Sequence, residues 1–281
     1  MKPLLILAPS PARWPAFEQL LHGEDPRVLE DLRIRLTDGA AEARDALALL
    51  PESSHALACA CVRRRHDVGL LGQVFTAPTQ RLKGHARSLM QALLSWFDMS
   101  GGKWLYLTCT RAEAEDVFEK FGFQVLHASG PERTARVTML RTPAHVGENP
   151  FERLSESLAI TPAARADWPL MMALMQHYVG ADPRVPLAES ALTAEATLIE
   201  LFAQQQQEVC HIVAVWRQER IIGFGSVALN APGSRTYAMV LPHGQPPDGL
   251  REALVEYARG RGYQQVDFPM ETLAAKRGAQ T

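Results

Sequence analysis

Apolar positions in the first half of the chain alternate between short unbroken runs and stretches spaced by three and four residues. The runs predict strands and the spaced stretches predict helices. Residues 4–8 form a short apolar run, and residues 12–21 carry helical spacing. Residues 57–63 and 68–76 read as a hairpin around Arg63-Arg64-Arg65-His66-Asp67, whose arginine run is expected to be a solvated turn. Ala86, Leu89, Met90, Leu93, Leu94 and Phe97 then recur on one helical face, which Gly101 and Gly102 end. Residues 104–108 predict a buried strand. Ala114, Val117, Phe118 and Phe121 mark a shorter helix, with Gly122 placed to close it in a left-handed conformation. Residues 123–127 and 136–140 predict a strand pair.

The second half repeats part of this plan. Residues 158–161 predict a strand, and Asp167 is placed to cap a helix with Pro169 in its first turn and Met171, Leu174, Met175 and Tyr178 inside. Residues 194–205 predict a further helix whose glutamines form a solvated end. Residues 212–216 and 221–229 predict a hairpin around Arg217-Gln218-Glu219-Arg220. A strand at 237–241, a helix at 250–259 and a strand at 265–268 complete the half. The stretch 141–150, with two prolines, one glycine and no periodicity, reads as the linker. The expectation is an α/β (α+β) fold of two domains, residues 1–143 and 151–281, rather than one continuous sheet.

Composition narrows the function classes. With 47% hydrophobic and 21% charged residues, the chain can build a sizeable core. The 29 basic and 31 acidic residues nearly cancel, which argues against a nucleic-acid or anionic-membrane partner. Cys59, Cys61, Cys109 and Cys210 lack zinc-ligand spacing and are too sparse for a disulfide framework, so reduced thiols and no metal are expected. The first ten residues hold one lysine and a five-residue apolar run, too short for a secretory leader, and no stretch approaches a membrane span. A cytoplasmic location is the expectation.

The stretch Gln80-Arg-Leu-Lys-Gly-His-Ala-Arg-Ser-Leu-Met90 carries the candidate chemistry. A helix N-terminus offers unsatisfied N–H groups and the positive end of the dipole, and small residues at Gly84 and Ala86 let an anion approach the backbone. Arg81 and Lys83 add charge, and His85 a further donor. The same residues would also serve as a helix start with solvated cations. Neither G-x-x-x-x-G-K-[ST] nor G-x-G-x-x-G is present at this loop, so P-loop and Rossmann sites are excluded here.

In its wider context this loop resembles a known family. VFTAPTQRLKGHARSLMQALL, then LYLT, then AEDVFEKFGF resemble the acetyl-CoA-binding half of the GNAT acyltransferase superfamily over residues 69–140. LAITPAARADWPLMMALMQH and VAVWRQERIIGFGSVAL resemble the opening half of a second such domain. The resemblance implies a tandem GNAT protein, each domain a central mixed, mostly antiparallel sheet flanked by helices. It implies acetyl-CoA as acyl donor and a small-molecule or protein amine as acceptor, with the protein a monomer or homodimer.

Residue by residue, Val74, Phe75 and Thr76 match the strand that bonds the pantetheine arm. Arg81, Leu82, Lys83, Gly84, His85 and Ala86 match the pyrophosphate loop. Arg111 stands where the family often has an Asn that touches pantetheine. Phe118 stands where it often has a Tyr that protonates the departing thiolate, a role Phe cannot take. Tyr106, Thr108 and Cys109 are weak alternative donors on the neighbouring strand, each expected first as a core residue. His55, His66, Asp67 and His127 are candidate bases by chemistry alone, so the catalytic residues stay open. The loop at 241–250 lacks Arg and Lys and carries Asp248 and three prolines, which implies a degenerate second site. An N-acyltransferase is the first expectation. A non-catalytic CoA-binding sensor or interaction protein is the alternative.

Overall fold

The computed structural model describes residues 2–38, 44–52, 55–128, 135–142, 151, 159–178, 187–228, 234–239, 249–260, 262 and 266–267. Most of the linker at 141–150 and of the loop at 241–250 lies outside the described residues. The chain divides into two compact units, one of Met1–Glu148 with Met175–Ala196 and one of Asn149–Leu174 with Thr197–Thr281.

The first unit is built on a seven-stranded sheet in the order β1-β2-β3-β4-β5-β7-β6. Its strands are β1 (Leu4–Leu7), β2 (Ala46–Glu52), β3 (His55–Arg65), β4 (Val68–Thr76), β5 (Trp104–Thr110), β6 (Gln124–Ala128) and β7 (Arg136–Arg141). Every neighbouring pair is antiparallel except β4 with β5. Period-two alternation sends Ala58, Ala60, Val62, Leu105, Leu107, Val137 and Met139 to one face, against Leu89, Met90, Leu93, Leu94 and Phe97 of α3 (His85–Met99). Leu47, Leu49, Cys59 and Cys61 go to the other face, under α1 (Trp14–Leu20) and α2 (Pro26–Thr37). Phe97 is wholly buried, and a Cβ at Gly69 would sit 2.7 Å from its ring, so that glycine makes room for the aromatic side chain.

One reading of this unit is corrected. The strands of the β3–β4 hairpin meet at His66 and Asp67, so the arginines are not a solvated turn. Arg63 and Arg64 are 3% and 6% exposed. Arg64 bonds the His66 carbonyl and the Ser100 hydroxyl with its guanidinium over the Phe97 ring. Arg63 Nη1 lies 3.6 Å from Asp31 Oδ2 and 3.5 Å from Glu195 Oε1. Asp31 also pairs with Arg35 at 2.7 Å, and Arg35 reaches Asp45 at 3.3 Å. Burial works against the Arg35 charge, but Asp31 and Asp45 outweigh it and its pKa is raised. In addition, α2 and β2 were not read from the sequence at all.

The second unit carries a five-stranded sheet in the order β12-β11-β10-β9-β8. Here β8 is Ala159–Pro162, β9 Cys210–Arg217, β10 Arg220–Ala228, β11 Ser234–Met239 and β12 Val266–Asp267. The expected β9–β10 hairpin is present, with Arg220 opposite Arg217. Leu254 and Ala258 of helix Leu250–Gly260 pack on Val213, Val215, Ile222 and Val227. Gln205 bridges two segments, donating to the Ala163 carbonyl and accepting from the Ile212 N–H. Asp167 immediately precedes helix Trp168–Tyr178 as the last residue of a 3₁₀ turn, and its carboxylate accepts from the Ala164 N–H at 2.8 Å.

Candidate functional site

The site grows from one irregularity in β4. Cys59 pairs with Phe75 and Cys61 with Gly72, so Gln73 and Val74 oppose a single residue of β3. Gln73 absorbs the extra residue with a φ of 48°. Its side chain is held on the α1–α2 face, where Oε1 accepts from Cys61 Sγ at 2.6 Å and from Arg63 Nη2 at 3.4 Å. On its other edge β4 pairs with β5 only from Val68–Trp104 to Leu70–Tyr106. Beyond that rung β5 continues to pair with β7, and β4 continues beside β3. The β5-facing edge of residues 71–76 has no strand partner among the described residues. Backbone N–H and C=O groups on such an edge can pair with an extended ligand.

The open end of this gap leads into the loop. A 3₁₀ turn at Pro78–Gln80 follows Thr76, tied back by the Ala77 N–H to the Leu57 carbonyl. Leu82 is fully exposed at a φ of 63°, and Gly84 starts α3 at a φ of 79° with nothing within 4 Å of a Cβ built on it. No side chain caps α3 and no acidic residue stands in its first turn. Its first N–H groups are therefore available to an anion. His85 Nε2 is buried without a hydrogen-bond partner among the described residues. Arg81 and Lys83 are exposed; Arg81 Nε donates to the Thr76 carbonyl and Lys83 Nζ to Gln80 Oε1. This set of donors fits a pyrophosphate.

Val74, Phe75 and Thr76 end β4 on the edge that β5 leaves, and Arg81, Leu82, Lys83, Gly84, His85 and Ala86 follow in the loop and first turn of α3. Arg111 follows the carboxyl end of β5, its N–H bonded to the Ala135 carbonyl. It opens a helical segment that passes from α4 (Arg111–Glu113) through a π-turn at Ala114–Phe118 to a 3₁₀ turn at Glu119–Phe121. Thr110 caps the segment reciprocally with Glu113, and Gly122 closes it at a φ of 84°, as its sequence predicts. Phe118 is 7% exposed in the α3-side core, edge-on to Phe123.

The groups able to move protons separate clearly. Asp67 and His66 form the turn before β4, with the Asp67 carboxylate 3.3 Å from Lys103 and its carbonyl bonded to the Lys103 and Trp104 N–H groups. His55 is exposed and, with His22 and Glu24, lines a cavity of about 380 Å³ whose remaining walls include Leu20, Phe75 and Pro78. Tyr106 is fully buried, its hydroxyl 2.9 Å from His177 Nδ1. His127 Nε2 lies 2.6 Å from the His177 carbonyl. Burial, with a smaller contribution from His127, pushes the His177 pKa down to about 4. His177 escaped the sequence reading because it sits at the end of an apolar helix with no motif around it. Thr108 Oγ1, on the same face as Tyr106, is buried without a partner among the described residues. Burial raises all four cysteines: Cys59 well above the ordinary thiol, Cys61 to about 11, Cys109 to about 12 and Cys210 to about 11. Cys109 is core, its Sγ 3.8 Å from Met139 Sδ.

Among the described residues no group of His, Cys, Asp and Glu could hold a metal ion, and no helix is long and apolar enough to cross a membrane.

Residues 12–123 match the model of the acetyltransferase (GNAT) family, so this stretch carries a GNAT domain. Similar solved structures include ElaA of Escherichia coli, at 17% identity and a TM-score of 0.39, covering 50% of this chain and 99% of that one. A GNAT-family acetyltransferase of Staphylococcus aureus Mu50 is similar at 10% identity and a TM-score of 0.39, over 50% and 99%. An aminoglycoside 6′-N-acetyltransferase complexed with coenzyme A is similar at 11% and 0.39, over 50% and 97%. No curated protein matches the chain.

Proposed function

We propose, from the premise that residues 12–123 form a GNAT domain, that this chain is an N-acyltransferase moving an acetyl group from acetyl-CoA to a small-molecule amine by direct attack. The observation that carries this reading is the continuity of the unpaired β4 edge with an uncapped, uncrowded helix N-terminus. Acetyl-CoA is the acyl donor of the family and supplies the activated thioester. Residues 74–76 offer backbone groups to its arm, and one N–H of that strand polarises the thioester carbonyl. Gly84 and Ala86 keep the helix end open, while Arg81, Lys83 and His85 supply donors to phosphate, with Leu82 turning the loop between them. Arg111 and Phe118 flank the far side of the arm. The cavity beside Phe75, of a size common for small ligands, supports a small-molecule acceptor over a protein one.

In this reading residues 151–281 are a second GNAT-like domain with a degenerate cofactor loop, and the protein is cytoplasmic. Calorimetry tests the single site, with close to one CoA per chain expected. CoA release from acetyl-CoA across polyamines, amino acids and aminoglycosides tests the transfer. Burial of Phe118 where the family often has an acid favours a second reading, a CoA-binding sensor. Binding without turnover on that panel would select it.

A further inference from the structure

We propose that the cavity beside Phe75 selects a monoamine carried on an apolar body, with the Glu24 carboxylate receiving its ammonium group. This names the acceptor class of the acyltransferase reading above and rests on that reading.

Alternation along the end of β4 sends Val74 to the α3 side of the sheet and Phe75 to the α1–α2 side. Phe75 lines the cavity together with Ala77 and Pro78 of the following turn, Ala56 of β3, and Leu20 and Leu21 at the end of α1. A ligand held there lies against the side chain of a residue whose backbone belongs to the edge that β5 leaves. Leu20, Leu21 and Ala56 are buried and Phe75 is half-buried, so these walls offer contact area and no hydrogen bond. The volume of about 380 Å³ stands near the low end of small-ligand pockets, which run from about 300 to 1,000 Å³.

Charge enters from the loop between α1 and α2. Among the described residues no Lys or Arg lines the cavity, and Glu24 is its one carboxylate. Glu24 is exposed, and its side chain has no ion pair or hydrogen bond among the described residues. The nearest cation along the chain, Arg27, is taken by Asp25 at 2.7 Å. The Glu24 charge also reaches the sheet: burial foremost, then Cys61, and Glu24 as well raise the Cys59 thiol. His22 Nδ1 lies 3.1 Å from the Gln19 carbonyl, which can only accept, so Nδ1 holds the proton and Nε2 of the neutral ring is an acceptor. A carboxylate and an imidazole acceptor set among apolar walls suit an ammonium group on a hydrocarbon chain or ring. The same walls turn other amines away. An amino acid brings its own carboxylate against Glu24. A polyamine or an aminoglycoside brings several charges or hydroxyls, which leucine, alanine and phenylalanine leave unpaired at a cost to binding.

Calorimetry on the full chain with n-alkylamines from propylamine to hexylamine, and with hexanol, tests this without turnover. Each methylene taken into the cavity should tighten binding about fourfold until the space is full. Hexanol, which lacks the ammonium group, should bind more weakly than hexylamine. Glu24→Gln should weaken hexylamine about fivefold, the upper end for an ion pair open to solvent, and leave hexanol unchanged. Ala77→Leu, which adds bulk to a wall, should weaken hexylamine more than propylamine. Affinity independent of chain length, or equal hexylamine binding by the parent and Glu24→Gln, overturns the assignment. CoA titration and CoA release separate it from the reading beneath it. Acetylation of amino acids, polyamines or aminoglycosides in preference to hexylamine overturns the assignment alone. A parent that binds alkylamines as expected, but neither binds CoA nor acetylates them, keeps the cavity as an amine site and overturns the acyltransferase reading.

Discussion

Leu70 and Tyr106 form the last rung between β4 and β5, and everything in the candidate site is arranged beyond it. The parallel ladder is three residues long because β4 bulges at Gln73 and keeps its bonds to β3, while β5 keeps its bonds to β7. The gap is therefore a product of two satisfied neighbours pulling a pair of strands apart, and it leaves backbone groups available on one edge.

Replacing both loop cations, Arg81→Ala with Lys83→Ala, should weaken CoA binding without unfolding the chain. Both side chains are exposed, and among the described residues they bond to the Thr76 carbonyl at the end of β4 and to Gln80, so stability has little to lose. Charge-assisted contacts to phosphate are worth about 1.5–3 kcal/mol each, which is about tenfold or more in Kd per contact. Calorimetry with CoA and dephospho-CoA measures it. Unchanged affinity in the double variant would mean the two cations only solvate the loop.

Phe118→Tyr should leave turnover within a few-fold of the parent and should not create a better enzyme. Phe118 packs in the α3-side core against Phe123, so an added hydroxyl enters apolar surroundings. Burying it without a partner costs about 1–3 kcal/mol, to be read as a lower denaturation midpoint. A large rate gain at unchanged CoA affinity would contradict the expectation. Phe118→Ala measures the packing loss separately.

Asp31→Asn should destabilise the first unit strongly. Asp31 is 3% exposed and faces both Arg35 and Arg63. Removing one partner of a buried ion pair costs about 3–5 kcal/mol. Asp45 and Glu195 remain to share the two cations, so the low end is expected. Urea denaturation at constant m-value is the check, and a loss below about 1 kcal/mol would place the pair in the class of solvated ion pairs.

The His177 ring should make stability fall on acidification. Its folded pKa of about 4 lies below the ordinary imidazole value of 6.5, so between these values the native state binds fewer protons than the unfolded chain. The contribution is complete above pH 6.5 and is lost as pH falls towards 4. The ring is only partly buried, so a loss of about 1 kcal/mol between pH 7 and pH 5 is expected after screening. His177→Gln should lose less than the parent over the same interval. Parallel pH profiles would show that the ring does not titrate as its burial requires.

Elements with a single strong period were legible in the sequence. The α3 stripe from Leu89 to Phe97, the β3–β4 and β9–β10 hairpins and the Gly122 closure all stand as their patterns predict. The segment α2 was not, because Pro-Arg-Val-Leu-Glu-Asp-Leu-Arg-Ile-Arg-Leu-Thr is rich in charge and buries an aspartate beside its leucines. The arginine run misled for the same reason: charge normally marks solvent, and its burial is tolerable because Asp31 and Glu195 face Arg63 while the His66 carbonyl, Ser100 and the Phe97 ring receive Arg64. The loop at the α3 N-terminus was readable because glycine, cations and helix start are contiguous. His177 was not, since its meeting with Tyr106 joins residues 71 positions apart.

The four buried thiols bear on how such a protein would keep itself clean. Thioesters acylate ionised, accessible thiols without help from a catalyst, so a chain that holds one for long periods is exposed to its own substrate. Cys59, Cys61, Cys109 and Cys210 are all buried and all held as neutral thiols by that burial. The folded protein therefore presents no cysteine for self-modification, and a stray acyl group on sulfur would mark molecules that have unfolded.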